Sequence, residues 1–205
     1  MNFHERLLLE NQAWAYEMQN RDPDYFSRLG SGQSPEAFWI GCSDSRVPAE
    51  HMTNASPGDL FVHRNVANVA AIDDPTFMSA LEYSVSALGV RYIVVCGHEN
   101  CGGIGAACSG HPTGLEQVDN HLAPVVAHHD SLADEFASID DATARVNAMV
   151  RHHVIAQVER LAAIPLIRQM TNPPTLLGLV YTHDSGVLET VCEYPQATQA
   201  EAAAA

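Results

Sequence analysis

The chain of 205 residues contains no lysine: its ten basic residues are all arginines, set against 25 aspartates and glutamates, for a formal net charge of -15. A surface of that sign repels phosphate backbones and anionic lipid heads, which argues against nucleic acid and membrane surfaces as partners. It also makes any arginine beside chemistry informative. Long apolar runs are missing too. None approaches the ~20 residues that span a bilayer, and the opening "MNFHERLLLENQ" carries Glu5, Arg6 and Glu10 where a signal peptide needs an uninterrupted apolar region. A cytoplasmic protein is expected. The five cysteines, Cys42, Cys96, Cys101, Cys108 and Cys192, form no even set. That argues against a disulfide scaffold and leaves reduced thiols for a metal or a nucleophile.

No internal repeat of useful period is present, and the length suits one domain over residues 1–205. Residues 1–30 read as an N-terminal helical arm with Phe3, Leu7, Trp14 and Met18 on an apolar face; residues 196–205, "QATQAEAAAA", read as a frayed tail. Short apolar runs at 37–42, 59–64, 91–97 and 175–182 predict buried strands, and 186–194 a partly exposed one. Between them, Asp73, Asp74 and Pro75 open a helix with Phe77, Leu81, Val85 and Leu88 on one face and Gly89 as its stop. A longer helix from about Asp140 carries Val146, Val150, Val154, Val158 and Leu161 before Pro165. Fully apolar strands alternating with helices predict an α/β fold, a mostly parallel central sheet flanked by helices. Sites in such sheets lie at the carboxyl ends of the strands.

Two motifs fall at those ends. "CSDSR" follows the first strand with Cys42, Asp44 and Arg46, and "GHENCGG" follows the third with His98 and Cys101. Alone, a strand-end cysteine is usually a small buried hydrophobe and His-x-x-Cys a weak pattern. Two thiolates and an imidazole converging on one sheet edge form a Cys₂His set for tetrahedral Zn2+, and Gly97, Gly102 and Gly103 permit the tight backbone it needs. Cys96 and Cys192 read as core thiols, and Cys108 as core or surface. Whether the zinc is structural or catalytic turns on the fourth position. Asp44 either reaches the metal and closes the site, or pairs with Arg46 and leaves the position to a water that the metal acidifies. The histidine pairs in "AHHD" (127–130) and "RHHV" (151–154) sit in helical patterns and read as a solvated or partly buried face. His63 and His183 lie at strand ends with no role assigned.

In this order, "CSDSRVPAE", "HRNVAN" and "GHENCGG" resemble the β-class carbonic anhydrases, and the resemblance runs from the N-terminal helix to "YTHDSG". It implies a zinc-dependent lyase, a carbonate dehydratase, that reversibly hydrates carbon dioxide to bicarbonate and a proton through metal-activated water. It implies a homodimer as basic unit, often a dimer of dimers. Cys42, His98 and Cys101 match the zinc ligands, Asp44 and Arg46 the catalytic dyad, and Gln33 a donor toward substrate. Val66, Tyr83, Gly102 and Gly103 resemble the lining of the substrate pocket. Trp39, Arg64 and Tyr181 match the non-catalytic bicarbonate pocket of a regulated bacterial subgroup, in which Asp44 binds zinc in the closed state only. Two rivals share the architecture: a carbonyl sulfide or carbon disulfide hydrolase, and a non-catalytic zinc-stabilised interaction protein. The second has no need of Arg46.

Overall fold

The computed structural model describes residues 1–194; the tail expected at 196–205 lies outside the described residues. Two compact units are distinguished, Met1–Ser34 and the part from Pro35 onward. In the first, α1 (Phe3–Arg21) starts on a capping box in which Glu5 N donates to Asn2 Oδ1 at 2.9 Å and Asn2 N to Glu5 Oε2 at 3.0 Å. Trp14 meets Tyr25 and Phe26 of α2 (Tyr25–Gly30) edge-on, which fixes the turn between the helices. No residue of α1 is buried, and Phe3 and Leu7 are 67% and 51% exposed.

The second unit holds β1 (Ala37–Cys42), β2 (Leu60–Asn65), β3 (Tyr92–His98), β4 (Thr175–Thr182) and β5 (Val187–Tyr194) in the order β2-β1-β3-β4-β5. The first four run parallel, and β5, expected only as a partly exposed strand, pairs antiparallel with β4. The chain leaves β1 toward β2 on one side and returns to β3 on the other, so the crevice where ligands collect opens between the ends of β1 and β3. Strands β2 and β3 each run one residue later than the sequence suggests, which makes His98 the last residue of β3 rather than a loop residue. It pairs with Tyr181 of β4.

The helices of this unit are α3 (Ala49–Thr53), α4 (Pro75–Glu82), α5 (Gly102–Ala107), α6 (Glu116–Ser131), α7 (Ala133–Phe136), α8 (Ala142–Ala163) and α9 (Pro165–Arg168). One sheet face, with Phe38, Ile40, Ile93 and Val95, forms the main core with α4 and α8. The other, with Ala37, Trp39, Val94 and Cys96, gathers around Ala49 of α3. The helix expected to reach Gly89 instead widens into a π turn over Tyr83–Ala87, where Leu88 N bonds Tyr83 O and buried Ser84 turns its hydroxyl back onto Leu81 O at 2.7 Å. Gly89 ends it with φ 64°.

The core stripe of α8 holds Val150, Val154, Val158 and Leu161 as expected, but also His153, which is 1% exposed. The "RHHV" pair is therefore split: His152 is half-buried and His153 lies in the core. Burial pushes the His153 pKa from 6.5 down to about 4. The unfolded chain takes up this proton near its ordinary value and the native state only near the lowered one. Stability from this group is complete above the unfolded pKa and is lost as pH falls between the two, by about 3 kcal/mol in all. Urea unfolding at pH values spanning that window is expected to show the loss, and His153→Gln, which does not titrate, a shallower one. Equal pH slopes in the two proteins would refute the assignment.

Candidate metal centre

Cys42 ends β1, His98 ends β3 and Cys101 caps α5, so three elements that meet at the crevice each supply one donor. Their ligand atoms lie within 4.8 Å of one another, and all three residues are buried. The two sulfurs stand 3.9 Å apart, against the ~3.8 Å that tetrahedral geometry with ordinary zinc–sulfur bonds requires. His98 Nδ1 lies 3.0 Å from the carbonyl of Glu99. A carbonyl only accepts, so Nδ1 carries the proton and Nε2 presents its lone pair. That Nε2 is buried with no hydrogen-bond partner among the described residues. A buried acceptor without a donor, beside two thiols at chelating distance, fits a soft-to-borderline cation.

The charges agree. The Cys101 thiol bonds Cys42 and, with the backbone amides of Asp44 and Ala67, draws the Cys42 thiol well below its ordinary range against its burial. The same contact and burial push Cys101 upward. One thiolate is therefore ready, and the second ionises once a cation offsets the first.

Asp44 sits beside this set with Oδ2 3.8 Å from His98 Nε2. Arg46 holds it bidentately, Nε to Oδ1 at 3.0 Å and Nη2 to Oδ2 at 2.7 Å, and the Arg46 amide adds a bond to Oδ1 at 2.9 Å. These bonds keep its carboxyl far below the usual carboxylate range. Arg64, from β2, donates Nε to the Cys42 carbonyl at 2.7 Å and Nη2 to the Asp44 carbonyl at 2.5 Å. Two of the ten arginines thus clamp one short loop. Gly103 lets the chain close on the site: a Cβ there would stand 2.8 Å from Val66 Cγ1 and 3.0 Å from Ala67 Cβ. Gly102 faces open space.

Residues 37–188 match the profile of the family described as Carbonic anhydrase. The chain belongs to the β-class carbonic anhydrases. Carbonic anhydrase of Emericella nidulans is 36% identical over 189 residues, covering 91% of this chain and 82% of that one. Carbonic anhydrase of Pseudomonas aeruginosa is 38% identical, covering 81% and 77%. Among solved structures, a tetrameric β-carbonic anhydrase of Sordaria macrospora superposes with a TM-score of 0.90 at 34% identity over 94% of this chain and 99% of that one. A Coccomyxa β-carbonic anhydrase in complex with acetazolamide gives 0.86 at 35% identity over 90% and 84%. This carbonic anhydrase is accordingly a zinc-binding lyase.

Contacts unite Cys42, His98, Cys101, Asp44, Arg46 and Arg64. Val66 joins them through Gly103, and Trp39 lies over Gly41, the register partner of Arg64. Tyr83, 49% exposed, packs on Phe61 at 5.8 Å, and Gln33 is an exposed residue of the N-terminal unit. One residue left without a role is drawn in: His183 brings Nε2 to 3.2 Å from His98 Nδ1 and stands edge-on to Tyr181 at 5.4 Å. The signal was its place in the chain, one residue past the end of β4, on the edge where the ligands gather.

Proposed function

We propose that this enzyme reversibly hydrates carbon dioxide to bicarbonate and a proton. The observation that carries the reading is Asp44, ionised in the grip of Arg46 and 3.8 Å from a ligand nitrogen. Zinc, when bound, supplies the Lewis acidity that makes water a nucleophile near neutral pH. Asp44 accepts a hydrogen bond from that nucleophile and orients it, while Arg46 keeps Asp44 charged and in place. The amide N–H groups of Asp44 and Ala67 temper the charge on the Cys42 sulfur. Gln33 is proposed as a donor toward substrate, with Val66, Tyr83, Gly102 and Gly103 lining its pocket.

The finer reading is a bicarbonate-regulated enzyme of the bacterial type. Trp39, Arg64 and Tyr181 lie on one face of the sheet by strand alternation, on β1, β2 and β4. An anion at Arg64 competes with the carbonyls of Cys42 and Asp44 for its donors. Loosening of Val47–Glu50 would free Asp44 from Arg46 to enter the ligand set, closing the site. Stopped-flow hydration by zinc-loaded protein from about pH 6.5 to about pH 9 is expected to rise steeply, with added bicarbonate inhibiting at the acid end. Trp39→Val should flatten both responses. No hydration at any pH defeats the activity; a level, bicarbonate-insensitive profile defeats only the regulation.

A homodimer or dimer of dimers is proposed for one zinc domain bearing a helical arm. The tetrameric Sordaria enzyme supports it, as do the exposed apolar residues of α1. Five free cysteines, two of them ligands, support a reducing, cytoplasmic setting. No helix of the described residues is long and apolar enough to cross a membrane.

A further inference from the structure

Three residues beside the metal centre have left-handed backbones although none is glycine: Ala67, with φ 63°, Asn68, with φ 45°, and Asn100, with φ 54°. Alanine in particular avoids this region, because its Cβ crowds the following carbonyl. Ala67 and Asn100 are each held by a polar side chain of α8. His153 places Nε2 2.8 Å from the Ala67 carbonyl oxygen. The carbonyl only accepts, so Nε2 donates, and the buried Nδ1 has no partner among the described residues. Asn147 Oδ1 accepts from the Asn100 amide at 2.8 Å. Neighbouring contacts brace the first loop: His121 of α6 donates to the Val66 carbonyl at 2.8 Å, and Gln157 accepts from the Ala70 amide at 2.9 Å.

The held conformations face the ligands. With its carbonyl turned toward α8, Ala67 keeps its N–H on the side of the site, against Gly103, where it helps lower the Cys42 thiol. Asn100 lies between His98 and Cys101, so its backbone sets the distance between those two donors. We propose that His153 and Asn147 are positioning residues for the zinc site, holding Ala67 and Asn100 left-handed so that one amide bonds the Cys42 sulfur and His98 and Cys101 converge on one ion. The inference rests on the zinc ligands and not on the substrate. It assigns to α8 a task beyond filling the core.

Zinc release to a chelator, and the absorption spectrum with cobalt(II) in place of zinc, test it. His153→Ala and Asn147→Ala are each expected to release zinc about tenfold faster than the parent, and His153→Gln, which keeps a donor in reach of Ala67, within about threefold of it. In the cobalt protein the thiolate-to-metal charge-transfer band should move to longer wavelength in His153→Ala, because the sulfur has lost an N–H, and return in His153→Gln. Thermal midpoints of the metal-free proteins separate these effects from a general loss of stability. Parent-like release from Asn147→Ala, or faster release from His153→Ala with an unmoved band, overturns the proposal. Should His153→Ala not fold, Asn147→Ala and His153→Gln decide. Neither readout needs carbon dioxide hydration, so failure of the proposed activity is distinguishable.

Discussion

Serine in place of Cys101 is expected to cut the metal content of the purified protein from about one zinc per chain to less than about a tenth, and to lower carbon dioxide hydration at least ~1,000-fold. A hydroxyl does not ionise near neutral pH, so the second anionic donor is lost and Cys42 and His98 remain as a two-point site. The exchange is mild in every other respect. Cys101 occupies the cap position of α5 without a side-chain capping bond, and serine is among the best residues for that position. The helix should therefore persist while the metal does not. Elemental analysis, circular dichroism and stopped-flow hydration on one preparation separate the two effects. Full zinc occupancy in Cys101→Ser would remove Cys101 from the ligand set.

Asparagine at position 44 is expected to slow hydration by about two orders of magnitude with zinc content unchanged. The Asp44 side chain is 17% exposed and both its oxygens are engaged by Arg46. An amide copies the shape but has one acceptor where the carboxylate has two. Either Arg46 loses a partner or the nucleophile meets an N–H where it needs an oxygen. Because Arg46 keeps Asp44 out of the ligand set in this structure, the metal should be retained. A variant as fast as the parent would strip Asp44 of its role; parallel loss of zinc would make it a permanent ligand instead.

The ligands and the dyad were legible because their grammar is local: Cys42, Asp44 and Arg46 fall within five residues, His98 and Cys101 within four, each behind an apolar run. Strands β1 and β4 were legible to the residue, since polar or turn-forming neighbours bound them on both sides. β2 and β3 each slipped by one, because pairing starts at Leu60 and Tyr92, opposite Ala37, rather than at the flanking Asp59 and Arg91. What no local pattern announces is a partner far along the chain. His153 finds Ala67 across 86 positions and His183 finds His98 across 85. In a helical window His153 looks like one of a surface pair; only the docking of α8 on the sheet decides which imidazole goes inside. The π turn was equally hidden, because the spacing of apolar residues from Phe77 to Leu88 reads as ordinary helix and carries no mark of the wider turn.

The division of the ligands between β1 and β3 bears on how the protein acquires its metal. His98 and Cys101, three positions apart, form a weak chelate even in an unfolded chain. Cys42 is 59 positions from Cys101 and arrives only when β1 has docked against β3. Closing so long a loop costs chain entropy, and the ion offsets that cost only in the docked state. High metal affinity is therefore a timestamp of β1–β3 docking during folding. Conversely, slow release of the ion from the finished protein measures how seldom those two strands part.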